Sequence, residues 1–586
     1  MTEHTKYPFA SSGAQKGHQK QPIKMPSPLP SAVMSHIPAA RVPTAQARLQ
    51  PKLSSSPKGM IPVTPEPDLL ARIMPTMRNE QISLVVEAAG IDRSSPADLQ
   101  RQGLAQRYAQ WLAKQASSNQ AQAEINAYKQ EAAALVKVRG QKIAPFAPFR
   151  PELSAFRTFT RPQIIVLCLL GLIGAGAGLF FKLEAIAVVI AIITLTYTLC
   201  LLLNLIIAFK AFRSNPEEQI EDEVVHMLKQ AEWPQYTILC PLYREARVVP
   251  QFVQAMQSLD YPVEKLQVLF LTEEDDRETR AAIRALSLSP HFQVLMVPDG
   301  KPRTKPRACN YGLLHATGLY TVIYDAEDIP DPLQLKKAVL AFANADLQTV
   351  CVQAKLNFYN RTQNLLTRWF TAEYSTWFGM ILPALQAANF VIPLGGTSNH
   401  FRTASLRALG GWDAYNVTED CDLGLRLKRF QMKTVILDST TLEEANPHLT
   451  NWLRQRSRWI KGYMQTYLVH MRAPLKALHE GRLFDFFSFQ VVVGSGTGML
   501  LFNPLMWLLL AIYLIAGPKV TTTYHLLFPG PILYLGAFCL IFGNLFYLYQ
   551  YLLACTKRGD YALVFWSLFM PLYWLLMSVD TVGKLL

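Results

Sequence analysis

The chain has 586 residues, 50% of them hydrophobic and 17% charged, with a formal net charge of +14. Soluble domains carry roughly a quarter charged residues, so this composition points to a membrane protein with a large soluble part. With 30 Phe, 23 Tyr and 10 Trp to build a core, disorder of the whole chain is excluded.

In chain order, residues 1–60 hold nine prolines, eight Lys or Arg and a single acid, Glu3. Such a stretch cannot bury enough apolar surface to fold, and it reads as a disordered basic tail near an anionic membrane face. No apolar run follows Met1, so no cleavable signal is expected. Residues 61–150 read as a small helical accessory domain. Leu69, Leu70 and Ile73, then Leu84, Val85, Val86 and Ile91, begin it, and Leu104–Val138 is free of proline and glycine. The phrase LVVEAAGIDRSSPADL within it is similar to the helical N-terminal module of type II secretion ATPases.

Residues 163–209 read as a transmembrane hairpin. Ile164–Phe181 and Ala185–Phe209 are each long enough to cross a bilayer, with Lys182-Leu183-Glu184 between them. Arg157, Arg161, Lys210 and Arg213 flank its outer ends, which places those ends in the cytoplasm. Residues 484–586 read as an interfacial helix and three transmembrane helices. The apolar run Phe484–Ala516 would be about 50 Å long as one helix, too long for one span. Lys557 and Arg558 in the loop after Ala554 favour a cytoplasmic loop, which requires one crossing before it. Pro531–Ala554 and Ala562–Val579 then complete five spans. The implied location is the inner (plasma) membrane, multi-pass, with the soluble domain between the membrane regions cytoplasmic and membrane lipids as neighbours. Eight cysteines without a CxxC pair fit a reducing compartment and no zinc site.

Between the membrane regions, residues 214–483 alternate short β-rich runs with helical stretches, the pattern of a parallel α/β sheet. Tyr236–Cys240, Val268–Leu271, Gln293–Val297 and Tyr320–Tyr324 are the runs. Open α/β sheets bind ligands beyond the carboxyl ends of their strands. The first run leads into Tyr243-Arg244-Glu245, the second into Thr272-Glu273-Glu274-Asp275-Asp276, the fourth into Asp325-Ala326-Glu327-Asp328. One such cluster would be an ordinary solvated loop. Three in strand order, followed by Thr418-Glu419-Asp420 and Gln455-Arg456-Ser457-Arg458-Trp459, are a site.

With these motifs the chain resembles the family 2 glycosyltransferases of GT-A fold, of the membrane-embedded kind that includes cellulose, hyaluronan and poly-N-acetylglucosamine synthases. The resemblance implies a Rossmann-like α/β GT-A catalytic domain inserted between transmembrane helices. It implies that Asp325 and Glu327, with Asp328 adjacent, hold Mg2+ or Mn2+, although Glu327 stands where a second Asp is common. Glu273 and Glu274 fall at the family's uracil-binding acids, and Tyr243 and Glu245 at the loop bordering the base. Lys305, Arg307 and Asn310 resemble the segment near the donor, where basic side chains suit a diphosphate. Asp420 is implied as the base that accepts the acceptor hydroxyl's proton, supported by Glu419, with Asp422 a third acid nearby. Gln455, Arg458 and Trp459 are implied at the acceptor and diphosphate, through a guanidinium fork and a flat ring. The segment Pro393–Arg402 would line the acceptor path, with His400 either an acceptor contact or a core histidine.

The implied activity is inverting, processive transfer from a nucleotide sugar, UDP-sugar in the first instance, to a growing polysaccharide, with export partners to carry product onward. Two other readings stand beside it: a single-transfer enzyme acting on a lipid, and a degenerate glycosyltransferase serving as a membrane receptor or scaffold. Nucleic acid is set aside as a partner, because no recognition fold accompanies the positive charge.

Overall fold

The computed structural model describes residues 126–132, 136–138, 141–143, 145–148, 150–214, 216–228 and 233–585. The chain divides between Met77 and Arg78, and every described residue belongs to the C-terminal unit. The basic tail and most of the accessory domain therefore lie outside the described residues. What is described of residues 61–150 is not wholly helical. After a helical turn at 126–132, Val136–Val138 pairs antiparallel with Gln141–Ile143. Val136, Val138 and Ile143 are β-branched, which favours a ribbon over a helix.

The α/β domain is built on eight strands: β1 (Tyr236–Leu242), β2 (Leu266–Glu273), β3 (Phe292–Val297), β4 (Tyr320–Ile323), β5 (Ile329–Pro330), β6 (Thr349–Phe358), β7 (Asn399–Arg402) and β8 (Lys433–Glu443). They form one sheet in the order β3-β2-β1-β4-β7-β6-β8-β5. The four strands expected from the sequence pair in parallel at one side, and β1 and β2 are almost wholly buried, as strands covered on both faces must be. The sheet as a whole is mixed, not parallel: β7 runs antiparallel to both β4 and β6, and β5 antiparallel to β8. The segment Asn399–Arg402 is too short and too polar to show its pairing in the sequence. It is nevertheless a central strand, and it carries His400 into the core.

Helices cover both faces of the sheet, and the helices that matter here are α1 (Arg161–Ser214), α2 (Val249–Gln257), α3 (Arg277–Arg284), α4 (Lys305–His315), α5 (Gln334–Asn344), α6 (Leu365–Thr376), α7 (Glu419–Arg429) and α8 (Leu449–His470), of which α1 and α8 pack mainly on other helices. Two apolar clusters flank the sheet, one under α2 and α5 and one under α4 and α7. Tyr128 and Ala132 of the N-terminal segment are buried in the second cluster.

Inside α1, Lys182 leaves helical geometry (φ 37°, ψ −108°), at the polar break between the two apolar arms. Among the described residues, two helices are long and apolar enough to cross a membrane, Arg161–Lys210 and Gly530–Lys557. Tyr561–Ser567 and Met570–Ser578, bent by 60°, make a third if they are one span. The count falls short of five for two reasons. The two arms before the domain run as one helix with a break, and the 484–516 run contributes two short apolar helices, Leu483–Gly494 and Leu505–Ala516, neither long enough alone.

Candidate active site

The loops at the carboxyl ends of β1, β2 and β4 meet as expected of an α/β sheet. After β1, Tyr243 donates its hydroxyl to Asp275 at 3.3 Å, and the backbone N–H of Arg244 donates to Asp276 at 2.5 Å. Asp276 also caps α3 by accepting from the Thr279 N–H, so this acid is structural. Glu273 and Glu274 part company. Glu274 is exposed and accepts from the Asp299 N–H at 2.9 Å. Glu273 is buried beside Arg307, whose Nη1 lies 3.8 Å from it, and burial pushes its carboxyl up to about 7. Arg307 also donates to the Pro298 carbonyl at 2.7 Å and lies over the Phe146 ring. Asn310 clamps a loop instead of facing outward: its amide bonds the Trp412 carbonyl at 2.8 Å and its oxygen accepts from the Trp412 N–H.

Lys305, in the first turn of α4, is the centre of the cleft. Its Nζ lies 2.6 Å from Asp325 Oδ1 and donates to the Gly396 carbonyl at 2.8 Å. Burial alone would lower its affinity for a proton, but the charges of Asp325 and Glu419 hold it well above the usual lysine range. Asp420 lies at the same place, since a Cβ on Gly396 would come 3.6 Å from Asp420 Oδ2. A strand-end acid, a helix-start acid and one ammonium thus converge on the Gly395–Gly396 turn.

Four more carboxyls crowd this point. Burial, then Asp325 and Glu327, push Glu245 up to about 8. Glu327 is raised to about 7 by loss of solvation and then by Asp325. Glu443, at the end of β8, is driven well above the glutamate range by burial and the charges of Asp328, Glu327 and Asp325. Glu419 rises to about 8 and Asp420 to about 6, in each case chiefly through burial. Side by side and both raised, the two carboxyls favour sharing a proton over carrying two charges. The Cys421 N–H, at the start of α7, donates to Asp420 Oδ1 at 2.7 Å and favours a charge there. Glu443 was invisible as a site residue because β8 was not read from the sequence, although TVILDSTTLEE has the same form of apolar run into acids.

Asp328 has a different task. Its Oδ2 accepts from the Asp325 N–H at 2.7 Å and from the Thr397 hydroxyl, so it holds the loop that presents Asp325. Among the described residues no three His, Cys, Asp or Glu side chains are gathered as a metal cage, and the three DAED acids do not form one. Asp325 and Glu327 nonetheless suit a hard cation, since both are carboxylates left facing other carboxylates with one lysine to balance them.

The helix bearing the second motif, α8, is registered against α7. The Thr418 and Thr466 hydroxyls lie 3.2 Å apart, and His470 Nε2 lies 2.9 Å from Asp422 Oδ1. A Cβ at Gly462 would come within 2.4 Å of the Thr418 side chain, so this approach requires glycine. Asp422 bonds Arg426 at 2.8 Å as well, and the guanidinium together with the hydrogen bond to His470 holds its carboxyl low despite burial, which makes it structural. Along α8, Arg458 is exposed, Trp459 is half-buried against Phe370, and Gln455 carries a buried Oε1 with no hydrogen-bond partner. His400 is a core residue: it is fully buried, its Nδ1 lies 2.7 Å from the Tyr236 hydroxyl, and burial lowers its pKa to about 3.

The family model "Glycosyltransferase like family 2" matches residues 234–462. Among curated relatives, "Probable glycosyltransferase YdaM" of Bacillus subtilis is 26% identical over 261 residues, covering 44% of this chain and 62% of that protein. "Beta-monoglucosyldiacylglycerol synthase" of Synechocystis is 28% identical over 249 residues, covering 41% and 50%. "Glucomannan 4-beta-mannosyltransferase 7" of Arabidopsis thaliana is 24% identical over 313 residues, covering 49% and 56%. The matched stretches thus span from half to three-fifths of the relatives' own lengths. Among solved structures, the mannosyltransferase PcManGT from Pyrobaculum calidifontis, in complex with GDP-Man and Mn2+, is similar at 21% identity and TM-score 0.42, over 67% of this chain and 99% of that one. The mixed sheet and its crowd of carboxyls lie within residues 234–462, the stretch that is similar to the glycosyltransferase-like family 2 model.

Proposed function

We propose that the protein is a membrane-embedded, inverting glycosyltransferase that transfers a sugar from a nucleotide sugar, UDP-linked in the first instance, to a growing polysaccharide. The observation that carries this reading is the convergence of Lys305, Asp325 and Asp420 on the Gly395–Gly396 turn. Relatives named for glucosyl and mannosyl transfer support the reaction class. In this reading Asp420 accepts the proton of the acceptor hydroxyl as that oxygen attacks the anomeric carbon and the nucleoside diphosphate departs, with Glu419 in support beside it. Glu273 and Arg307 border the base, and Tyr243, Glu245 and Glu274 close that end of the cleft. Asp325 and Glu327 would hold Mg2+ or Mn2+, which would neutralise the departing diphosphate as a Lewis acid. Arg458 grips the diphosphate, while Gln455 and Trp459 meet the acceptor sugar.

The membrane reading keeps five spans, with the domain and residues 556–561 in the cytoplasm. Two contacts support it: Lys557 lies 2.6 Å from Glu217, and Arg361 lies 2.5 Å from Asp560. Both tie the 556–561 loop to the same side as the sheet. A second reading, single transfer to a lipid, is favoured by the similarity to a glucosyldiacylglycerol synthase. Incubating the full chain in membranes with individual labelled nucleotide sugars tests both. Products that lengthen with time support polymerisation. One glycolipid of fixed mass supports the second reading, and no transfer from any donor refutes both.

A further inference from the structure

One buried charged cluster stands apart from the carboxyls of the cleft, where α8 meets α6 and the helix that begins at Met570. Arg456 is 8% exposed and makes a two-pronged pair with Glu373 of α6, one prong at 2.8 Å. Its Nη2 also donates at 2.7 Å to the hydroxyl of Tyr573, which in turn donates to Glu373 at 2.6 Å. Tyr573 is fully buried and belongs to the apolar C-terminal helix that begins at Met570. Four rings surround the guanidinium: Phe370 at 4.7 Å, Trp459 at 4.9 Å, Trp452 at 5.3 Å and Tyr573 at 5.7 Å.

A buried ion pair costs solvation that hydrophobic residues would not, so stability alone is a weak reason for it. What it adds is direction. A bidentate guanidinium is fixed in plane by its carboxylate, and a ring stacked on it inherits that orientation. Trp459 is the one of the four rings that belongs to the acceptor motif. We propose that Arg456 is a positioning residue, which sets the Trp459 ring for acceptor sugar and ties that setting, through Tyr573, to the docking of the C-terminal membrane helix. This rests on the acceptor role given to Trp459 above. It makes the acceptor subsite depend on a membrane segment while the donor subsite, built from the sheet, does not.

The test uses the full chain in detergent, with three rates measured for wild type, Arg456→Lys, Tyr573→Phe and the double variant. These are sugar transfer against acceptor concentration, transfer against donor concentration, and donor hydrolysis by water. Arg456→Lys keeps the charge and loses the fork, so acceptor KM should rise about tenfold while donor KM and hydrolysis stay within about twofold. Tyr573→Phe removes a single hydroxyl and should raise acceptor KM by a few fold. The double variant should fall short of the product of the two effects, because both act through one cluster. An unchanged acceptor KM in Arg456→Lys, or equal losses in donor and acceptor steps, overturns the proposal and leaves the functional reading intact. A wild type that transfers sugar to no acceptor overturns the functional reading, and this inference with it.

Discussion

Asp420 is the residue whose removal discriminates most sharply. It lies against Gly396 beside the Lys305–Asp325 pair, and its carboxyl is raised to about 6, chiefly by burial. A base must be ionised to accept a proton, so turnover should climb about tenfold per pH unit below that value and level off above it. Lys305 lowers the Asp420 pKa through its charge. Lys305→Met, which keeps the length and loses the ammonium, should therefore move the acid limb to higher pH. Asp420→Asn keeps size and removes the proton acceptor, and should cost about a hundredfold to ten-thousandfold in turnover, the usual worth of a placed base.

The assay is initial-rate transfer of a labelled sugar at saturating donor, across pH, for wild type and both variants. Donor binding, followed separately by nucleotide competition, should change little in Asp420→Asn. The expected residual rate in that variant has no limb near 6. A variant within tenfold of wild type, or one that keeps the wild-type limb, refutes the assignment of the base.

Three further expectations follow from the same geometry. Asp325→Asn and Glu327→Gln should each weaken metal-dependent donor binding by at least about tenfold, since each removes an anionic ligand from a hard-cation site; EDTA without effect on wild-type transfer would show that no such cation is used. Trp459→Ala should shorten the product while sparing donor hydrolysis, whereas Arg458→Ala should depress both, and the two variants are separated by sizing the polymer and measuring free sugar. Cysteines placed at Lys519 and Lys557 should be labelled from opposite sides of the membrane, Lys557 from the side of the catalytic domain; labelling of both from one side refutes the five-span topology.

The candidate site's strand ends were legible in the sequence wherever an apolar run ended in acids. Tyr236–Leu242, Leu266–Glu273 and Tyr320–Ile323 each deliver their acids to the same edge, within two residues of the reading. What was hidden depended on long-range pairing. Asn399–Arg402 has no strand signature of its own and pairs only because β4 and β6 leave a gap between them. Its antiparallel entry turns the sheet mixed and brings Gly396 to Lys305. Within a motif, spacing did not distinguish ligand from scaffold. Asp328 and Asp422 have the composition of site acids, yet one holds a loop and the other pairs with Arg426 and His470. Similarly, Arg456 is a filler position in the QxxRW spacing, and only the meeting of α8, α6 and the C-terminal helix gives it Glu373 and Tyr573.

The crowding of carboxyls has a consequence for stability that can be worked with its sign. Glu245 rises from an ordinary 4.5 to about 8, through burial first and then the charges of Asp325 and Glu327. Between those values the folded protein holds a proton that the unfolded chain has released. Stability therefore falls as pH rises through this window, the reverse of a salt-bridged acid. At pH near 8 the protein forgoes at most about 4 kcal/mol at this one group, at 1.36 kcal/mol per pKa unit, and near pH 5 under about 1 kcal/mol. Glu245→Gln keeps the shape without the charge, and the Glu245 backbone N–H still donates to Thr279 at 3.0 Å. The variant should accordingly melt higher than wild type at the alkaline end, by an amount that shrinks toward zero as the pH is lowered to about 5. Thermal unfolding of both proteins in the same detergent at the two pH values measures this difference directly. A variant that is less stable at alkaline pH, or whose advantage is the same at both, would mean that the Glu245 carboxyl is hydrated and ionised like any surface glutamate. The electrostatic account of the cleft would then have to be rebuilt without it.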